Sequence, residues 1–578
     1  MKLRLALIAP QMGYDKNEYK NKDKKVLPLG IYTLKSYLNQ YYSNITLIDA
    51  ITEEYSEDEI IDIITKNECN IIGISGITNK YYNSILSLAK KLKQIKTILF
   101  VFVGGPIATF CYDILLQNKN IDFIIRGEGE IILKNVLDCL SNDKEFSTIN
   151  GICFKEKDSN NIIVNPFQER MKTFDLFRKD KYSFNEKTIA EFISGSRSYV
   201  IMASRGCKGN CVFCQVPKYY GQKGIFWRNV KDVVDEIEYA IIHWGVRRFN
   251  FQDSNFLCEF SWVNDFINEV VNRKISFIFN IFADAESVNC SIILRLKKIG
   301  LYQVFVGLET GSKERFQKLK KKAIFEDNQN SINIIKKSGL KIIPGYILYY
   351  PDSTLKEIID SANWFKNNNM IKPSMYFNKM DVWYGTDMYD YIESNGCIIS
   401  SSINDGVIYK FLDNDVNELY NYMMMGLKKF KIIWGKITSE NNIRRTILTE
   451  QVINELENGK NINFLKDKID IYYSNKEKYT FGRSKDNEKI LSEIVDLYFW
   501  EAVKCVQIKT ISNKEKELHL NNFADNIIQI SKRFVWLSQY DLVKFKKNHQ
   551  GNFLCISYKL KKYLMNISQT IIFSMFSK

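Results

Sequence analysis

Histidine is nearly absent from this chain: 578 residues contain three, His243, His519 and His549. None pairs at metal-ligand spacing, which argues against a zinc centre that would need a second ligand pair beside Cys211 and Cys214. No apolar run reaches the roughly 18 residues of a membrane helix, so no transmembrane segment is expected. The N-terminal stretch Met1–Ile8 runs straight into a strand pattern and lacks the form of a signal peptide. A cytoplasmic location is the expectation, and with it reduced thiols rather than a disulfide framework. No internal repeat, low-complexity linker or RNA-binding module is visible.

The composition is that of a globular protein, 45% hydrophobic and 25% charged. The length suggests about three or four domains. A net charge of +15 would suit an acidic or nucleic-acid partner. The lysines are spread along helical patterns, however, and Lys, Asn and Ile are abundant everywhere. Nucleic acid is therefore not the expected partner, although a tRNA-modifying protein stays open as an alternative.

The most informative segment is Ser204-Arg205-Gly206-Cys207-Lys208-Gly209-Asn210-Cys211-Val212-Phe213-Cys214, with spacing C-x3-C-x2-C. Thiolate is the soft ligand that iron–sulfur clusters take, and three so close together can hold three corners of a [4Fe–4S] cluster. A fourth protein ligand is not evident nearby, which would leave one iron open. The remaining cysteines, among them Cys69, Cys111, Cys139 and Cys505, are scattered as core thiols would be.

Residues 1–150 alternate short apolar strands (Leu3–Ala9, Ile45–Asp49, Asn70–Ile77, Ile98–Gly104, Phe123–Ile125) with helices such as Leu29–Asn39, Ser56–Lys66 and Tyr82–Lys93. That alternation predicts an α/β fold with a doubly wound parallel sheet, which binds ligands at the carboxyl ends of its strands. Residues 151–195 read as a connector that opens with a hairpin at Gly151–Pro166. Residues 196–390 repeat a strand–helix unit six times, which predicts a partial (β/α)6 barrel. Its strands are Ser198–Ala203, Arg248–Asp253, Ser276–Ala283, Tyr302–Leu308, Lys341–Tyr349 and one near Met375–Trp383. Residues 391–578 read as mostly helical, at Asn417–Lys428, Thr449–Leu456, Lys489–Val506 and Ala524–Val535. Their aromatics, including Tyr420, Tyr422, Phe430, Trp434, Tyr498, Phe499, Trp500 and Trp536, read as core. The apolar tail Tyr563–Phe576 reads as docking on the body.

The cysteine loop, with an aromatic just before its last cysteine, resembles the signature of the radical S-adenosylmethionine superfamily. Other strings match at the strand ends: Gly224-Ile225-Phe226-Trp227-Arg228, Phe251-Gln252-Asp253-Ser254-Asn255-Phe256 and Gly307-Leu308-Glu309-Thr310-Gly311-Ser312. Tyr350-Pro351-Asp352-Ser353-Thr354 stands where the family has G-x-P-x-E-T, a departure that bears on the adenine side. Residues 1–150 resemble the cobalamin-binding domain that precedes the radical domain in one branch. The pieces are Pro28-Leu29-Gly30, Gly73-Ile74-Ser75, Gly104-Gly105 and Gly127-Glu128-Gly129-Glu130. The D-x-H-x-x-G element of other cobalamin proteins is absent, and this region holds no histidine to ligate cobalt.

The resemblance implies a cobalamin-dependent radical enzyme with a [4Fe–4S] cluster, S-adenosylmethionine and cobalamin as cofactors. It makes Cys207, Cys211 and Cys214 the ligands and packs Phe213 against the adenosine. It places Ser75, Gly104 and Gly105 along the corrinoid's nucleotide tail. Glu309 at a strand end can accept from an ammonium or from ribose hydroxyls. Arg228 can hold a carboxylate by two parallel bonds, and Asp253 can do either job. For all three the alternative is a salt bridge on the barrel rim. In that branch a 5′-deoxyadenosyl radical activates an inert carbon, which then takes a methyl group by way of cobalamin. C-methylation of a small-molecule, lipid or peptide substrate is thus the leading expectation, with radical cyclisation or rearrangement as the alternative. An external flavodoxin- or ferredoxin-type donor would supply the electron.

Overall fold

The structure, a computed structural model, describes residues 3–11, 27–156, 161–171, 184, 186–195, 197–221, 224–403, 406–430, 492, 495–526 and 528. Among these, one compact unit comprises the residues up to Tyr346 together with Asp381–Lys410. A second comprises Ile347–Met380 and the residues from Phe411 onward.

The first unit begins with strands β1 (Leu5–Ala9), β2 (Ile45–Asp49), β3 (Ile71–Ser75), β4 (Phe100–Gly104) and β5 (Phe123–Ile125). They run parallel in the order β2-β1-β3-β4-β5. Strands covered on both faces need apolar side chains throughout, and β1 and β5 are buried at every position. Helices Leu29–Leu38, Glu57–Lys66, Tyr82–Leu92 and Gly129–Ser141 alternate with them. The second of these starts at Ser56, which forms a capping box with Glu59. This strand order reverses direction between β1 and β3, the place where doubly wound sheets open a ligand crevice.

The hairpin expected in the connector is present and extends this sheet. Its strands β6 (Ile152–Lys155) and β7 (Ile162–Val164) pair antiparallel with β5 and with each other. The polar turn at 157–160 lies outside the described residues, as do residues 172–183.

A second parallel sheet follows in the same unit. Its strands are β8 (Tyr199–Ile201), β11 (Arg248–Phe251), β12 (Ile278–Asp284), β13 (Leu301–Glu309) and β14 (Lys341–Tyr346), in the order β14-β13-β12-β11-β8. Between β8 and β11, a two-stranded hairpin of β9 (Ser204–Cys207) and β10 (Gly224–Trp227) carries the cysteine loop. The Gly224–Arg228 string therefore lies beside the first cysteine as its antiparallel partner. The sixth strand expected near Met375–Trp383 is not formed. Pro373 opens a 3₁₀ turn at Pro373–Phe377, which leaves one parallel bridge between Tyr349 and Lys379.

The second unit is mostly helical. Helix Leu355–Asn367 is capped by the reciprocal pair Thr354 and Glu357, and further helices run over 414–430, 495–507 and 513–526. Phe430, Tyr498 and Phe499 are fully buried, so the aromatic stripe is core here. Lys366 and the Tyr376 hydroxyl both meet Asp496, at 2.7 Å and 2.5 Å. The expected helix Thr449–Leu456, the tail Tyr563–Phe576, Trp434, Trp536 and His549 lie outside the described residues.

Candidate active site

The cysteine loop is held from both sides. The Val212 amide donates to the Leu319 carbonyl at 3.2 Å, and the Met388 amide donates to the Val212 carbonyl at 2.9 Å. Gly206 has φ 97°, and a β-carbon there would strike the Gly224 carbonyl, so the turn into the loop demands glycine. Gly209 packs between two of the thiols: a β-carbon would lie 3.3 Å from Cys207 Sγ and 3.9 Å from Cys211 Sγ. Its amide donates to Cys207 Sγ at 3.2 Å. This arrangement fits an iron–sulfur cluster, whose sulfurs accept amide hydrogen bonds and whose protein thiolates bind separate irons. Among the described residues no three His, Cys, Asp or Glu side chains converge on a single ion. Burial pushes the Cys211 thiol up to about 12 and the Cys214 thiol to about 11, and raises Cys207 as well. Phe213 is half-buried within the same loop.

Asp253, at the end of β11, fixes the approach to this loop. It is buried and accepts from the Ala203 amide at 3.1 Å, the Ser204 amide and the Ser204 hydroxyl at 2.5 Å. Burial raises its carboxyl to about 6 against the pull of those bonds. Asp253 is thus a brace for the chain entering the cluster hairpin. Arg228 lies close by, at the end of the second strand of the hairpin. Its guanidinium is buried between Asp232 at 2.5 Å and Glu236 at 2.7 Å, and it donates to the Met202 carbonyl at 3.1 Å. With two carboxylates on its fork, Arg228 forms the rim salt bridge that the sequence left open as the alternative.

Glu309 ends β13 with φ 64°, a left-handed backbone that non-glycine residues seldom adopt. Its carboxylate meets Lys321 at 3.2 Å, and Lys321 also reaches Asp284 at 2.7 Å and the Gly307 carbonyl at 2.8 Å. Burial raises the Glu309 carboxyl and Lys321 draws it back down. The Lys321 charge also acts on all three cluster thiols. Lys321 and Asp284 escaped the sequence reading, because a lysine twelve residues past a motif carries no sign of its partner.

The cavity at the crevice of the first sheet spans about 800 Å³ including its open mouth. Ser75, Gly104 and Gly105 line it together with Gly30, Thr33, Glu128 and Glu130. A β-carbon on Gly30 would meet nothing within 4 Å, and on Gly104 only the Ile125 carbonyl at 4.0 Å, so both glycines keep open space. Met202, Arg205, Tyr219 and Tyr220, all close in sequence to the cluster loop, line the same cavity. No histidine lines it.

Comparison with known proteins follows this division. The B12 binding domain family matches residues 23–137, and the Radical SAM superfamily matches residues 201–365. The chain thus carries a B12-binding domain followed by a radical S-adenosylmethionine domain. An uncharacterized methyltransferase of Pyrococcus horikoshii is 25% identical over 382 residues, covering 64% of this chain and 80% of that protein. The anaerobic magnesium-protoporphyrin IX monomethyl ester cyclase of Rubrivivax gelatinosus is 24% identical over 358 residues, covering 60% of this chain and 64% of the cyclase. The cobalamin-dependent S-adenosylmethionine radical enzyme OxsB, solved with aqua-cobalamin bound, shares the fold. Its TM-score is 0.71 at 16% identity, with coverage of 98% of this chain and 84% of that one. Within this radical S-adenosylmethionine enzyme, no helix among the described residues is long and apolar enough to cross a membrane.

Proposed function

We propose that the protein methylates an unactivated carbon of a biosynthetic small molecule, lipid or peptide, using a [4Fe–4S] cluster, S-adenosylmethionine and cobalamin. The observation that carries this reading is a single cavity that joins strand-end glycines of the first sheet to residues flanking the cysteine loop. When bound, the cluster supplies the electron that splits S-adenosylmethionine, and the corrinoid supplies a methyl carrier for a carbon that acid–base catalysis cannot activate.

The chain's own residues prepare that chemistry. Cys207, Cys211 and Cys214 would hold three irons, and Gly209 leaves room for the cluster and donates an amide to its first thiolate. Glu309, held in place by Lys321, would accept from the ammonium or ribose hydroxyls of S-adenosylmethionine. Phe213 would pack on the adenosine side. Ser75, Gly104 and Gly105 would admit the corrinoid tail, with no protein histidine to ligate cobalt. A flavodoxin- or ferredoxin-type protein would deliver the electron.

The similarity to an uncharacterized methyltransferase supports methyl transfer. A second reading, oxidative cyclisation, is favoured by the similarity to a cyclase. Incubation of the reconstituted enzyme with candidate substrates and reductant separates the two. Methylation adds about 14 Da to the product and yields S-adenosylhomocysteine, as the reaction class requires. A product lighter than its substrate, without S-adenosylhomocysteine, would sink the methyltransferase reading and favour the cyclase.

A further inference from the structure

Two strings in this chain, Gly127–Glu130 and Ser204–Cys207, are far apart in sequence and meet in space. Arg205 projects from the first strand of the cluster hairpin into the first domain. Its guanidinium reaches Glu130 at 2.7 Å, Glu128 at 3.2 Å and the Thr33 hydroxyl at 3.4 Å. Arg205, Glu130 and Thr33 are buried, and all four side chains line the cavity assigned above to cobalamin. The Arg205 carbonyl is gripped in turn by Arg170 at 3.1 Å. Arg170 also donates to the Gly224 carbonyl at 3.1 Å and faces Glu128 at 3.5 Å. The backbone that positions Cys207, two residues on, therefore rests on arginines whose carboxylate partners form the cavity wall.

We infer that Arg205 is a positioning residue that couples occupancy of the corrinoid cavity to the geometry of the cluster loop. A ligand filling the cavity touches Glu128, Glu130, Thr33 or Arg205 itself. A buried guanidinium shared between two carboxylates cannot follow one partner without leaving the other unpaired. A shift at the cavity wall is thereby passed to the loop, and assembly of the cluster is passed back. Coupling between two binding events is reciprocal, so each must change the affinity of the other by the same factor. The inference rests on the cobalamin reading of the cavity.

The test is a linkage cycle on the full chain under anaerobic conditions. Hydroxocobalamin affinity is measured by equilibrium dialysis for cluster-free and cluster-loaded protein, in wild type, Arg205→Met and Glu130→Gln. Wild type is expected to bind hydroxocobalamin roughly tenfold more tightly with the cluster in place, within the usual range of site–site coupling. In Arg205→Met the ratio should fall to within about twofold of unity, while iron content per chain stays at the wild-type level. Glu130→Gln is isosteric and serves if Arg205→Met does not fold; it should reduce the ratio in the same direction. The electron paramagnetic resonance signal of the reduced cluster gives an independent reading. Hydroxocobalamin should perturb it in wild type and leave it unchanged in the variants. A wild-type ratio of unity, or variants that keep the wild-type ratio and spectral change, would overturn the inference. Failure of wild type to bind hydroxocobalamin in either state would instead overturn the cobalamin reading beneath it.

Discussion

Lys321 Nζ stands 3.2 Å from Glu309 Oε1, at a strand end where Glu309 adopts a left-handed backbone. The lysine is 3% exposed and its other carboxylate, Asp284, lies at 2.7 Å, so one buried cation neutralises two acids. Burial raises the Glu309 carboxyl and Lys321 draws it back down, so the lysine favours the carboxylate form that the proposed ligand role needs. Lys321→Met should weaken S-adenosylmethionine binding to the cluster-loaded protein at pH 7 by at least about tenfold, or about 1.4 kcal/mol. Equal affinity in mutant and wild type at pH 7 would show that Glu309 does not depend on its lysine.

Asp253 gives the chain a pH dependence of known sign. Its carboxyl stands at about 6 in the folded protein because it is buried, above its unfolded value of about 4. A carboxyl raised on folding holds its proton more tightly in the native state. Its stabilising contribution is present below the unfolded value and is lost as pH climbs through about 6. Asp253→Asn, which cannot ionise, should gain on wild type by about 1.5 kcal/mol between pH 5 and pH 8. Urea midpoints at the two pH values measure this, and a gap that stays constant would refute it.

The buried ion pairs of Arg228 predict a role in stability. Arg228→Met takes the cation away from Asp232 and Glu236, and truncating one partner of a buried ion pair costs about 3–5 kcal/mol. The folded fraction should still bind S-adenosylmethionine with wild-type affinity per cluster. A variant of normal stability with impaired binding would restore the ligand role.

Gly104 offers a way to close the cavity without disturbing the sheet. A β-carbon there meets only the Ile125 carbonyl at 4.0 Å, so Gly104→Leu would point into open space. Hydroxocobalamin affinity should fall at least tenfold, about 1.4 kcal/mol, while cluster content and far-ultraviolet circular dichroism hold. Undiminished binding would move the corrinoid elsewhere.

Much of this was legible in the sequence, for physical reasons. Strands such as β1 and β5 are short runs of apolar residues because both their faces are covered, and the strand-end glycines fell where the crevice opens. The cysteine spacing carried its chemistry directly. Roles that depend on a partner were not legible. For Arg228 the sequence offered both a ligand grip and a rim salt bridge, and only the structure shows Asp232 and Glu236 on its fork. Arg205 and Glu128 lie within recognised strings, but their pairing spans a long sequence separation, and Lys321 lies outside any motif, so neither contact carries a local sign. The expected sixth strand failed because a proline-led turn interrupts it.

The most direct test is anaerobic incubation of cluster- and hydroxocobalamin-loaded protein with S-adenosylmethionine and a strong reductant, comparing wild type with Cys211→Ala. The account predicts 5′-deoxyadenosine from wild type, none from Cys211→Ala, and cobalamin retained by both. Deoxyadenosine formed equally by the variant, or a wild-type protein that retains no cobalamin, would contradict it.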